Sequence, residues 1–159
     1  MPSPSAEHRS KTVTLAFMED ALRAAQEAEQ AGEVPVGAVI VHKGEIIATA
    51  GNRVERDRDP SAHAELLAIR AAAEKIGSKW LSDCDLYVTL EPCPMCAGAI
   101  SLARLRRVYY GAEDPKSGGV DHGPRVFDQP TCHHAPEVIG GVEESRCGEL
   151  LRQFFAQRR

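Results

Sequence analysis

The sequence predicts an α/β fold, a mixed β-sheet covered by helices on both faces. Three observations carry this: the opening helix and hairpin, the alternation after them, and the length of the chain. After an opening helix and a hairpin, β-rich apolar runs alternate with segments of helical periodicity. Alternation of that kind builds a sheet with helices on each side. A third observation sets the scale: 159 residues make one domain and bury a core without disulfide or metal staples.

Taken in order, residues 1–11 are rich in Pro, Ser and charge and read as a disordered lead-in to a single domain over 12–159. A helix is expected over 13–31, with Leu15, Met18, Leu22 and Ala25 on one face and Gly32 as its stop. Glu19 and Arg23 have the spacing of an intrahelical ion pair. Residues 36–41 and 46–50 flank Lys43-Gly44 as a hairpin. Residues 52–60 are a polar loop, after which Ser61 is placed to cap a helix reaching Ile76, with Gly77 beyond it. A strand over 85–90 leads to a small-residue helix over 92–103, with Pro94 suited to its first turn. A strand over 107–110, a Gly- and Pro-rich loop over 112–136, a last strand over 137–142 and a terminal helix complete a sheet of five strands.

Composition excludes several classes. With 43% hydrophobic and 26% charged residues the chain is neither disordered as a whole nor fibrous. No apolar run approaches the roughly 20 residues of a membrane helix. A net charge of −4 does not advertise a nucleic-acid binder, although it leaves room for a local basic patch. The five cysteines are an odd number, and the N-terminus lacks a signal-peptide core. Both point to a reducing, cytoplasmic setting, where paired cysteines bind metal or do chemistry.

The chemistry concentrates in His63-Ala-Glu65 and Pro92-Cys-Pro-Met-Cys96. Two cysteines separated by two residues reach one metal from a first helical turn, and His63, thirty residues before Cys93, adds an imidazole from the start of another helix. Zinc takes four ligands, so three protein donors leave a position for water, as catalytic sites do and closed structural sites do not. Helix N-termini favour thiolates and bound anions. Glu65 is surplus to the ligand set and is the candidate proton carrier. Either motif alone is weak. Together they match the known signature of the zinc-dependent nucleobase deaminases, H-x-E followed by P-C-x-x-C.

On these residues the sequence resembles the cytidine/deoxycytidylate deaminase superfamily, and within it the bacterial tRNA-specific adenosine deaminase branch. Further anchors are Glu33-Val-Pro-Val-Gly-Ala38, Gly51-Asn-Arg53, Leu86 to Cys93, Tyr110-Gly-Ala112, Asp114 and Phe154-Phe155. The resemblance covers nearly the whole chain. It implies a three-layer α/β/α cytidine-deaminase-like fold, a homodimer, and conversion of adenosine to inosine at the tRNA wobble position. It further implies zinc bound by His63, Cys93 and Cys96, with Glu65 as proton shuttle. Asn52 matches a residue that contacts the flipped base, Asp114 one near the neighbouring anticodon nucleotide, and Phe154 lies in a helix that helps close the pocket. The 118–136 loop departs from the best-known form of the family and resembles a variant in some bacterial members; the resemblance places it along the RNA channel.

Plainer readings stand beside these. The triad could be a structural zinc knot, but that needs a fourth ligand, for which Cys132, His133 and His134 are the candidates; a loop Cys-His-His is more often polar surface. Cys84 and Cys147 read as small, partly buried side chains. Without the resemblance, Asn52 reads as a loop residue, Asp114 as a turn former before Pro115, Phe154 and Phe155 as packing, and Glu33 as a solvated helix-end charge. Arg104, Arg106 and Arg107, and likewise Arg152, Arg158 and Arg159, are either solvated faces or a phosphate-binding rim. Two rival functions remain: a deaminase of free cytosine, cytidine or guanine, and a zinc-stabilised RNA-binding module without catalysis.

Overall fold

A computed structural model describes residues 6–158, with side chains from residue 11. The elements follow the expected order: α1 (Ala6–Gln30), β1 (Gly37–His42), β2 (Glu45–Gly51), α2 (Ala64–Ile76), β3 (Cys84–Leu90), α3 (Pro94–Leu102), β4 (Arg107–Ala112), β5 (Glu137–Ile139) and α4 (Glu144–Ala156). One five-stranded sheet runs β2-β1-β3-β4-β5. β1 is antiparallel to β2 and β3, whereas β3, β4 and β5 are mutually parallel, so the sheet is mixed.

Each central strand is buried on both sides, which explains its unbroken apolar run. In β1, Ala38 and Ile40 enter a core shared with α2 and α3, while Val39 and Val41 enter one shared with α1. In β3, Leu86 and Val88 face the first core and Tyr87 the second, where it stacks on Tyr109 of β4 at 4.4 Å. Cys84 and Cys147 are fully buried rather than partly so, at 0% and 1% exposure. The β1–β2 turn places Lys43 at φ 50° and Gly44 at φ 78°, the pair of positive φ values that a tight hairpin requires.

Several expectations are corrected. Residues 6–11 of the supposed lead-in are helical; Ala-Glu-His-Arg-Ser-Lys follows the last proline of the N-terminus and contains good helix formers. Residues 1–5 lie outside the described residues. Glu19 pairs with Arg146 of α4 rather than with Arg23, clasping the two helices of that layer, while Arg23 takes Asp20 at 2.8 Å. α2 begins two residues later than expected, at Ala64. Ser61 is tied into a turn by Asp59, and His63 is the N-cap residue. The last strand is only three residues long.

β2, β3 and β4 all run the same way. Their C-terminal ends therefore lie along one edge of the sheet; Asn52 and Glu91 follow those ends directly, and Asp114 comes two residues after the end of β4. Arg107 begins β4 and Arg106 immediately precedes it, at the opposite edge.

Candidate active site

At that C-terminal edge the starts of two helices converge. His63 is the N-cap of α2 and Cys93 the N-cap of α3, with Pro94 in the first turn of α3, as the sequence implies. His63 Nδ1 lies 3.5 Å from Cys93 Sγ and 3.6 Å from Cys96 Sγ. A thiolate and an imidazole bound tetrahedrally to zinc, at about 2.3 and 2.1 Å, stand about 3.6 Å apart. Both imidazole–sulfur distances therefore suit zinc, and all three donors lie within 4.8 Å of one another. The donor chemistry fits too: Cys93 is held down at about 4 by its contacts with Cys96 and His63, so one thiolate is already present.

Glu65, in the first turn of α2, is 4% exposed and hydrogen-bonds with the Cys96 thiol. Burial pushes its carboxyl up to about 7, against the pull of its own backbone N–H and of His63. The arrangement is thus three soft or borderline donors with one buried proton-accepting carboxyl beside them.

Asn52 is also brought here. Its Oδ1 accepts the Ala64 N–H at 2.8 Å, capping α2 in place of His63, whose side chain makes no cap. That fixes the amide and leaves its NH2 as a donor. Asp114 forms a turn, as its plainer reading has it: Oδ1 accepts Ser117 N–H at 3.0 Å and Lys116 N–H at 3.3 Å. Phe154 is buried in α4, edge-on to Phe155 and beneath Arg158.

The Cys132-His133-His134 run does not supply a fourth ligand. Cys132 Sγ meets Ser101 Oγ of α3 at 3.3 Å, and His134 Nε2 donates at 2.7 Å to Leu105 O in the connection from α3 to β4, so both anchor the loop there. The phosphate-rim reading of the first arginine cluster is likewise corrected. Arg106 is bidentate to Asp85 at 3.0 and 2.9 Å, Arg107 pairs with Glu137, and Arg104 packs on Trp80, all away from the triad. Arg152 pairs with Glu149, and Arg159 lies outside the described residues. At the same far edge His42 donates to Asp83 beside Cys84, and a cleft of about 570 Å³ opens over Phe17, Tyr87 and Tyr109; neither includes a triad residue.

Two buried carboxylates escape sequence reasoning. Glu33 is 1% exposed, not solvated, and accepts from Glu55 N, Arg56 N and Arg56 Nε at 2.9–3.0 Å, holding the loop that carries Asn52. Burial alone would raise its carboxyl, but these bonds and the Arg56 charge outweigh burial and hold it below 4.5. A depressed carboxyl stabilises the fold above its unfolded pKa, and that contribution disappears as pH falls through the folded value. Glu33→Gln therefore lowers stability at neutral pH by about 3 kcal/mol. The deficit narrows below about pH 4; urea unfolding at several pH values measures it. Glu91 is the other carboxylate.

The family model for the cytidine and deoxycytidylate deaminase zinc-binding region matches residues 11–112, which include Asn52, the triad, Glu65 and Glu91. The chain belongs to the cytidine and deoxycytidylate deaminase family. Within that family it is 57% identical to a tRNA-specific adenosine deaminase of Agrobacterium fabrum, over 90% of this chain and 94% of the relative. A deaminase structure solved in a study of A-to-I editing by tRNA:A34 deaminases superposes with a TM-score of 0.84 at 56% identity, covering 86% of this chain and 99% of that one. A guanine deaminase structure from Bacillus subtilis is 38% identical, with a TM-score of 0.61 over 90% and 92% of the two chains. The family's zinc-binding region thus contains the residues whose spacing suits zinc.

Proposed function

We propose that this chain hydrolyses adenosine to inosine at the wobble position of a tRNA anticodon, with one zinc ion per subunit. The observation that carries the reading is the His63–Cys93–Cys96 triad with the buried Glu65 carboxyl beside it. The choice of substrate is supported by the Agrobacterium fabrum relative.

His63, Cys93 and Cys96 would hold the ion, which when bound would supply Lewis acidity and lower the pKa of a coordinated water towards about 7. Glu65 is left free to move protons. It accepts one from the attacking water, passes it to the ring nitrogen beside C6, and delivers the next to the departing amine. The water oxygen bonds to C6, the C6–N bond breaks, and ammonia leaves the inosine behind. The target base must leave its stack, at a cost of a few kcal/mol that is smallest in a loop. In this reading the Asn52 NH2 contacts the flipped base, Asp114 lies near the adjoining nucleotide, and Phe154 helps close the pocket.

The proposed assembly is a homodimer. Leu102 and Met95 of α3 are 79% and 40% exposed, apolar surface of the kind a second copy covers. Five free cysteines suit a cytoplasmic setting, and among the described residues no helix is long and apolar enough to cross a membrane.

The guanine deaminase likeness makes a free base the competing substrate. Incubating the zinc-loaded protein with a wobble-adenosine anticodon stem-loop, and separately with guanine and cytidine, decides between them. Inosine in the RNA is expected. Xanthine or uridine with unaltered RNA would overturn the reading.

A further inference from the structure

Glu91 is the first residue after β3 and lies two residues before the ligand Cys93, yet the mechanism above gives it no task. Its side chain is 0% exposed. Five N–H groups converge on it from the chain beyond β4. Oε1 accepts from Asp114 N at 3.2 Å and from His122 Nδ1 at 2.7 Å. Oε2 accepts from Val120 N, Asp121 N and His122 N at 3.2, 3.1 and 3.2 Å. A carboxylate is acceptor-only, and its two oxygens share the five donors, three of them on Oε2; an amide in its place would turn an NH2 against part of the set.

The loop gathered in this way lies directly on the ligand segment. Gly119 N donates to Pro92 O at 2.8 Å. A Cβ at Gly119 would come 2.5 Å from Pro94 N and 2.8 Å from the Cys93 carbonyl carbon, and one at Gly118 would come 2.3 Å from Glu91 Oε2. Tyr110 of β4 donates to Asp121 and pins the same turn from the sheet. One buried acid therefore joins the end of β3, the end of β4 and the loop that walls the triad at Cys93.

We propose that Glu91 is a positioning residue for the deamination: its carboxylate fixes the 114–122 segment against Pro92 and Cys93, giving the RNA a preformed wall beside the metal site. Glu91 touches neither substrate nor metal and acts through the loop. The proposal rests on the functional reading above for its substrate, and on geometry alone for the loop.

The test compares zinc-loaded wild type with Glu91→Gln and His122→Ala. Three quantities are read: hydrogen exchange of the 112–126 segment, zinc per chain, and kcat and KM on the wobble-adenosine stem-loop. For Glu91→Gln, exchange speeds at least about tenfold and KM rises about tenfold, while kcat stays within about threefold and zinc is retained. His122→Ala, which removes a single side-chain donor, shifts KM and exchange in the same direction by about threefold, and carries the test should Glu91→Gln not fold. Unchanged exchange and KM would overturn the proposal, as would a loss of activity that merely tracks lost zinc. Wild type that leaves the RNA untouched would overturn the functional reading instead, and the exchange data alone would then decide whether Glu91 holds the loop.

Discussion

Glu65→Ala slows inosine formation by about 10³-fold, within the range for loss of a general acid–base group, while zinc stays at the wild-type level. The dissociation of rate from metal content follows from geometry. The three donors already meet the spacing of a zinc site without Glu65, so the metal does not depend on it. The carboxyl is nevertheless buried beside Cys96. Burial raises its carboxyl above the ordinary range, which favours its taking a proton from water. Glu65→Gln, which preserves volume and removes the basic oxygen, gives the same loss and separates proton transfer from packing. Single-turnover rates alongside zinc analysis check this. Undiminished turnover in either variant would remove Glu65 from the mechanism.

The second large effect is removal of a ligand. Cys96→Ala weakens zinc binding by more than about 100-fold, the upper end of what even an outer-shell partner contributes, and activity falls to background. Chelation of the wild type has the same consequence for activity. It leaves the chain folded, because the core packs on both faces of the sheet through residues that need no metal: Ile40, Leu86, Val88 and Val108 on one side, Met18, Leu22, Val39 and Tyr87 on the other. A zinc-stabilised binding module behaves in the opposite way and unfolds when its metal is withdrawn. Far-ultraviolet circular dichroism and thermal unfolding before and after chelation distinguish the two. A chain that unfolds wholly on chelation would favour the module.

The triad and its two helix starts are legible in the sequence because their signals are local. Cys-x-x-Cys with an intervening proline marks a first helical turn, and His63 sits just before a run with helical periodicity. The alternation of strands and helices likewise exposes the sheet, since a strand buried on both faces must be apolar throughout. What escapes is whatever depends on distant chain. Glu33 reads as a solvated helix-end charge and Glu91 attracts no reading of its own, because their hydrogen-bond partners lie 22 to 31 residues away, in loops without periodicity. Arg106 and Arg107 read as a possible phosphate rim because a charge pattern carries no information about which edge of the sheet it occupies. Strand direction decides that, and Asp85 and Glu137 at the same edge claim both side chains. Ser61 has the right chemistry for a cap but loses the position to Asn52, which arrives from the end of a neighbouring strand.

X-ray absorption at the zinc edge of the metal-loaded protein tests the central claim most directly. Two sulfur scatterers at about 2.3 Å, one imidazole nitrogen and one further light atom at about 2.0–2.1 Å are expected, the signature of a metal held by His63, Cys93 and Cys96 with solvent in the fourth place. A third sulfur or a second imidazole would mean that a fourth side chain seals the ion, and would contradict hydrolysis at this site.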